Sequence, residues 1–283
     1  MQPSDAEKLR AETREAWEAA AEGWEKAEPF YEATLPVARW MVVRLEPQPG
    51  QTVLELAAGR GDVGFLAAEL LEPGGTLIST DGAEGMVAAA QRRAEELGIT
   101  NVVCRQMELE WIDERTATLD GVLCRFGFML AVDPEAALRE ARRVLKPGGR
   151  LVMAVWDRPE RNLWLSAPVE EARKAGHLEE PPPGAPGPFS LSDVERLVDL
   201  VESAGFYDPQ VEPIDIALRL ESLDAMWELM RSMSTTMRTV LDRLKPAEHY
   251  RLRDAIEERW KPFADEDGRV AIPGRALGLV AEA

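Results

Sequence analysis

Glu55, Ala57, Gly59, Gly61 and Asp81 are the residues whose types and spacing suggest a chemistry. Val53–Asp62 reads VLELAAGRGD: an apolar pair, an acid, then a turn of small residues. Asp62 is placed to cap a helix over Val63–Leu71. A strand, a glycine turn and a helix start let a backbone close on a nucleotide-like ligand, because no Cβ stands in the way. Gly59 to Gly64 formally matches G-x-G-x-x-G, and Asp81 follows about 20 residues on, as a dinucleotide site requires. Glu55 opposes that reading, since a carboxylate beside two phosphates is repelled in low dielectric. An acidic strand end suits a ligand that carries cations and no phosphate.

S-adenosylmethionine (SAM) is such a ligand, with its ammonium and sulfonium. Glu55, Ala57, Gly59 and Gly61 resemble the first motif of the class I SAM-dependent methyltransferases, with Ala57 where the family has glycine. The resemblance covers Gln51 to Asp157. It becomes specific in Leu119–Val132, LDGVLCRFGFMLAV, and in Ala137–Asp157, ALREARRVLKPGGRLVMAVWD. Both segments are similar to methyltransferases of small molecules, including the quinone-biosynthesis C-methyltransferases.

The resemblance implies SAM as cofactor and a role for several residues. Asp81, with Gly82 beside it, would accept the ribose hydroxyls, a reading favoured over the helix cap that the residues alone also allow. Asp81→Ala is then expected to weaken SAM binding and spare the ligand-free fold. Met86 would pack on the adenine ring or in the core. Gln106 stands where the family commonly has Asp and can accept the adenine amino group, as can backbone groups of Met107 or Glu108. Arg125 would be a cofactor-binding residue, and Arg125-Phe126-Gly127 would face the transferred methyl, with Phe126 lining an apolar acceptor pocket. Tyr31 would lie nearest the cofactor, under N-terminal helices that close over the ligand.

Strand and helix patterns alternate over the elements that must hold these residues. Strands are expected at Thr52–Leu56, Thr76–Thr80, Val102–Gln106, Gly121–Arg125 and Arg150–Trp156. Helices are expected at Val63–Leu71, Glu84–Leu97 and from Asp133-Pro134 to Leu145, where Lys146-Pro147-Gly148-Gly149 stops the last. Repeated strand–helix–strand units imply a parallel sheet covered on both faces. The fold class is therefore α/β, and the resemblance makes it a doubly wound, Rossmann-like, seven-stranded and mostly parallel sheet, its last strand antiparallel.

The whole chain, 1–283, reads as one methyltransferase domain in six parts. Residues 1–50 form an N-terminal helical cap: a helix opened by Ser4 and Glu7 and ended by Pro29, then a second at Leu35–Leu45. Residues 51–157 form the SAM-binding core. Residues 158–189 read as a lid loop that carries His177 and Pro181–Pro188 over the mouth of the site. Residues 190–218 supply a core helix and strand. Residues 219–265 form a helical insertion with helices at Leu223–Leu244 and Ala247–Trp260, and 266–283 the final strand. Met226, Met230, Met233 and Met237 recur along one face of the insertion's first helix, in the core or against substrate, with Met230 the foremost candidate.

The formal net charge of −18 and pI near 4.7 repel polyphosphate, so nucleic acid is not expected as a partner. The absence of Asn/Asp-Pro-Pro-Tyr/Phe after the fourth strand, and of a Pro-Cys pair, agrees with that. No apolar run approaches the ~18 residues of a membrane span, and Met1–Glu28, charged throughout, is not expected to be a signal peptide. No membrane partner is expected. Two cysteines, Cys104 and Cys124, suit a reducing, cytoplasmic setting. No metal is implied. The expected partner is a small apolar or aromatic methyl acceptor, modified at oxygen or carbon. Nothing in the sequence sets an oligomeric state. A non-catalytic SAM-binding protein is the second reading. A nicotinamide oxidoreductase is the third, and it lacks Tyr-x-x-x-Lys, since Tyr250 has Asp254 at that offset.

Overall fold

The computed structural model describes residues 3–182 and 184–283, with side chains from residue 6 on. Helix α1 spans Pro3–Glu25 and α2 spans Glu28–Leu45. Pro29 sits in the first turn of α2, where a missing N–H costs nothing. It therefore starts a helix instead of ending one, and Lys26-Ala27 make the break. Tyr31 falls in the first turn of α2, not in a joint. Ser4 lies inside α1, so it does not open the helix; its side chain, like Pro183, lies outside the described residues.

Seven strands form one sheet: β1 (Thr52–Leu56), β2 (Thr76–Asp81), β3 (Val102–Gln106), β4 (Leu119–Arg125), β5 (Leu145–Trp156), β6 (Tyr207–Leu220) and β7 (Val270–Glu282). Their order is β3-β2-β1-β4-β5-β7-β6. The first five run parallel, and β7 lies antiparallel to both β5 and β6. The order reverses between β1 and β4, so their carboxyl ends open the crevice where such sheets bind ligands. Lys146 to Gly149 follow the helix stop as expected but already belong to β5.

Helices α3 (Gly64–Leu71), α4 (Glu84–Leu97), α5 (Pro134–Val144) and α7 (Val194–Ser203) connect the strands. Asp133 caps α5 by accepting from Ala136 N at 2.9 Å, and Gly98 closes α4 in the left-handed conformation that favours glycine. The segment expected to be a lid loop contains a further helix, α6 (Leu163–Lys174). Trp164, Ala167 and Ala172 of α6 are buried, because α6 packs on the helix Pro246–Trp260 and on β7.

Between β6 and β7 lie α8 (Leu223–Met233), α9 (Thr235–Leu241) and α10 (Pro246–Trp260). The single helix expected over Leu223–Leu244 breaks at Ser234, whose hydroxyl accepts from Met237 N. The methionine stripe is thus split between two helices, and Met226, Met230 and Met237 are buried in the main core. Trp24 of α1 closes this face by donating to Met233 O at 3.1 Å. Both cysteines are free. No helix among the described residues is long and apolar enough to cross a membrane.

Candidate active site

The turn after β1 needs its small residues for conformation. Ala57, Gly59 and Gly61 have φ of +50°, +56° and +85°. A Cβ on Gly61 would stand 2.5 Å from the Phe65 ring, while a Cβ on Gly59 would meet only the Tyr31 hydroxyl, at 3.9 Å. Ala57 therefore holds a strained conformation that the family's glycine would adopt freely.

The turn's amides are already engaged. Ala58 N donates to Thr80 O, Gly61 N to Ala58 O and Gly59 N to Asp81 Oδ2, each at 2.9 Å. Gly64 N, at the start of α3, donates to Glu55 Oε1 at 2.8 Å. A diphosphate needs such amides free, so the nicotinamide reading fails here. Glu55 does not offer its carboxylate to the ligand as expected. Glu55 is 2% exposed, so its carboxylate is turned inward, where it must be hydrogen-bonded; it accepts from Gly64 N and from Ser79 Oγ at 3.1 Å. Burial pushes its pKa up to about 7, against the pull of those bonds and of Arg125.

Asp62 does not cap α3, which starts at Gly64 without a side-chain cap. It binds Arg60 Nε at 3.1 Å, pairs with Arg93 and lies 3.8 Å from Arg125 Nη2. Arg60 also pairs with Glu28 at 2.7 Å and lies 3.6 Å over the Tyr31 ring. Burial, with the Asp62 charge, pushes the Tyr31 phenol up to about 12. Arg125 Nη1 donates to Thr34 Oγ1 at 3.0 Å.

At the end of β2, Asp81 accepts from both Gly59 N and Ala83 N, at 2.9 and 3.0 Å. Asp81 does not cap α4, whose N-cap is Ala83 with no side-chain cap bond; it ties the turn before the helix instead, and each oxygen keeps a lone pair for a ribose hydroxyl. Burial raises its pKa, opposed by those amides. Gln106 Nε2 donates to the Gly82 carbonyl at 2.8 Å, which leaves Oε1 as an acceptor. Met107 N donates to Asp81 O at 3.0 Å, which leaves its carbonyl as the backbone group that could accept from an adenine amino group. Glu108 pairs with Arg14 of α1 at 2.9 Å. Met86 is buried with Ala21 and Ala83 beside Trp17 and Trp24 of α1, in line with the packed one of its two readings.

Aromatic rings pack together at the ends of β4 and β5, all of them buried in the same core cluster as Met230. Phe126 holds φ +61° and stacks on Trp156 at 3.8 Å and 14°. Trp164 meets Trp156 edge-on at 5.3 Å, and Phe30 lies 6.3 Å from Trp156. Sequence reasoning missed Arg60, Asp62, Thr34, Phe30, Trp156 and Trp164. Arg60 had a signal, lying between two turn glycines. Trp156 had another, ending β5 as Phe126 follows β4.

His177 is not brought to this group. It lines a separate cleft of about 800 Å³ between α1, α9 and the end of α6, with Glu12, Glu15, Arg238 and Arg243. Met230 is packed in the core and also stands apart.

The site fits SAM. The glycine turn is open at Gly59 and offers no free amide to a phosphate. A carboxylate with spare lone pairs ends β2, and buried guanidinium groups can take a methionyl carboxylate. Residues 47–182 match the family model described as a methyltransferase domain. Nocamycin O-methyltransferase of Saccharothrix syringae is 30% identical over 208 residues, covering 68% of this chain and 71% of that protein. The ubiquinone/menaquinone biosynthesis C-methyltransferase UbiE of Acidiphilium cryptum is 33% identical over 180 residues, covering 59% and 71%. The fold is shared with phosphoethanolamine N-methyltransferase 2 of Haemonchus contortus in complex with S-adenosyl-L-methionine, at TM-score 0.53 and 16% identity, covering 87% of this chain and 51% of that one. Motif, satisfied turn and relatives agree: the chain belongs to the class I SAM-dependent methyltransferases and is an enzyme that uses S-adenosylmethionine.

Proposed function

We propose that the enzyme methylates oxygen or carbon of a small aromatic or apolar acceptor seated against Phe126, Trp156 and Trp164. The stacked Phe126–Trp156 pair carries this reading. A non-glycine residue held at positive φ beside a ligand turn is strain retained for a purpose, and an aromatic face is the natural partner of an aromatic ring. The relatives' names, one an O- and one a C-methyltransferase, support both acceptor atoms.

SAM supplies an electrophilic methyl group on sulfur. The chain's task is alignment and exclusion of water. On this reading Asp81 accepts from the ribose hydroxyls and Gln106 Oε1 from the adenine amino group. Gly59 and Gly61 let the backbone approach, Tyr31 closes the turn, and Arg60 takes the methionyl carboxylate. Glu55, Ala57 and Gly82 hold the two loops in register. Tyr31 keeps its proton at neutral pH because its pKa stands near 12, so it donates and does not act as base.

The test is a screen for S-adenosylhomocysteine formation with phenols, quinols and amines, followed by Trp156→Leu. Turnover on ring acceptors is expected. The variant should raise the acceptor KM about tenfold or more, the worth of a lost aromatic stack with its buried area, and leave the KM for SAM unchanged. Turnover confined to aliphatic amines would overturn the reading.

A further inference from the structure

We propose that the acceptor carries an acidic oxygen, as a phenol, enol or carboxylic acid, and is bound as its anion by the Arg125 guanidinium. This rests on the aromatic wall being the acceptor's seat. The Arg125 side chain is 9% exposed at the carboxyl end of β4. Its guanidinium lies 6.0 Å from the centroids of Phe30 and Phe126 and 5.6 Å from that of Tyr31, so it shares Phe126 with that wall.

A buried cation needs a partner, and Arg125 has an incomplete set. Its hydrogen bond goes to the neutral Thr34 hydroxyl. Its nearest carboxylate, Asp62 at 3.8 Å, is already bonded to Arg60 and Arg93. From α2 it faces the protonated Tyr31, from β1 Glu55, and from the turn Arg60 and Asp62. Glu55 is committed to Gly64 and Ser79. Three guanidinium groups thus share one carboxylate, in a chain of net charge −18. Arg60, which also holds Glu28, lies on the glycine turn and suits the methionyl end of the cofactor. Arg125 lies beside Phe126 of the wall and suits the acceptor.

The chemistry agrees. A bound cation lowers the pKa of an acidic oxygen by about one pH unit or more, so the acceptor loses its proton to solvent and no general base is required. An oxygen lone pair then forms the O–CH3 bond as the S–CH3 bond breaks. That bonding pair passes to sulfur, giving neutral S-adenosylhomocysteine and the neutral methyl ether or ester.

The experiment titrates the S-adenosylhomocysteine-loaded protein with para-nitrophenol and with its methyl ether, para-nitroanisole, across pH. The phenolate should bind at least about tenfold tighter than the ether, as a charge-assisted bond implies. Arg125→Gln should abolish that preference and leave S-adenosylhomocysteine affinity within about threefold, while Arg125→Lys should restore part of it. With any acceptor that turns over, Arg125→Gln should move the acid limb of kcat upward by about one pH unit and leave that of kcat/KM in place. Equal or absent binding of phenol and ether overturns the proposal. So does Arg125→Gln weakening S-adenosylhomocysteine while the anion preference persists, which would give Arg125 to the cofactor. Anion preference indifferent to Trp156→Leu would sink the aromatic seat and keep the charge, so the two failures are distinct.

Discussion

Glu55 joins β1 to the start of α3, and its burial has a pH signature. Its folded pKa, about 7, lies above the ordinary carboxylate value of 4.5. Between those values the folded chain holds a proton that the unfolded chain has lost, so this group makes stability fall as pH rises from 4.5 to 7. Glu55→Gln should remove that slope. Relative to the native chain it should gain about 3 kcal/mol by pH 7 from this term, as read by urea unfolding at several pH values. A constant difference across that range would contradict it. Asp81 carries a second prediction. From sequence alone its loss touches only the cofactor. Its bonds to Gly59 N and Ala83 N mean that Asp81→Ala should weaken S-adenosylhomocysteine binding at least about tenfold and also destabilise the ligand-free protein by about 2 kcal/mol. Calorimetry and thermal melts check the two parts. The acids and glycines of the turn were legible because their spacing is local. The Arg60, Asp62 and Arg125 network was not, because it joins residues far apart in the chain.

At the scale of elements, α1 is held mainly by its edges. Arg10 pairs with Glu110 and lies over Trp111, Arg14 pairs with Glu108, and Glu18 accepts from Gly85 N at 3.1 and 3.2 Å. Trp17 and Trp24 lie against Met86, and Gly23 lies close to α8. A Cβ on Gly23 would stand 2.1 Å from Ser232 O, a backbone atom that cannot step aside alone. In an exposed helix interior, Gly→Ala stabilises by about 1 kcal/mol. Here Gly23→Ala should instead cost about 1–3 kcal/mol and release α1, visible as faster proteolysis before residue 26. A raised melting temperature would show that α1 does not sit on α8 in this way. The apolar period located α4, β1 and β3 at their true bounds. It did not disclose α6, whose apolar residues Trp164, Ala167 and Ala172 have meaning only against α10 and β7. Nor did it disclose the break at Ser234, where a hydroxyl cap interrupts an otherwise continuous stripe of methionines.

At the scale of the molecule, a surface of net charge −18 encloses a strand-end cluster rich in guanidinium. Surface self-repulsion is screened over about 10 Å at 0.1 M salt. The ligand-free melting temperature should therefore rise by a few degrees from low to physiological ionic strength, near neutral pH. A fall would mean that the exposed ion pairs outweigh the repulsion. The sequence by itself determined the core strands and the glycine turn, because these depend on residues within one strand–turn–helix unit, while the full sheet and the methyl donor followed from the resemblance of Gln51 to Asp157. The tertiary structure alone decided that Glu55 braces the turn from within, that Met230 is core, that His177 lines another cleft, and that Arg125 hangs over an aromatic wall. Burial and ion pairing depend on which distant segments meet, and local spacing carries no record of that.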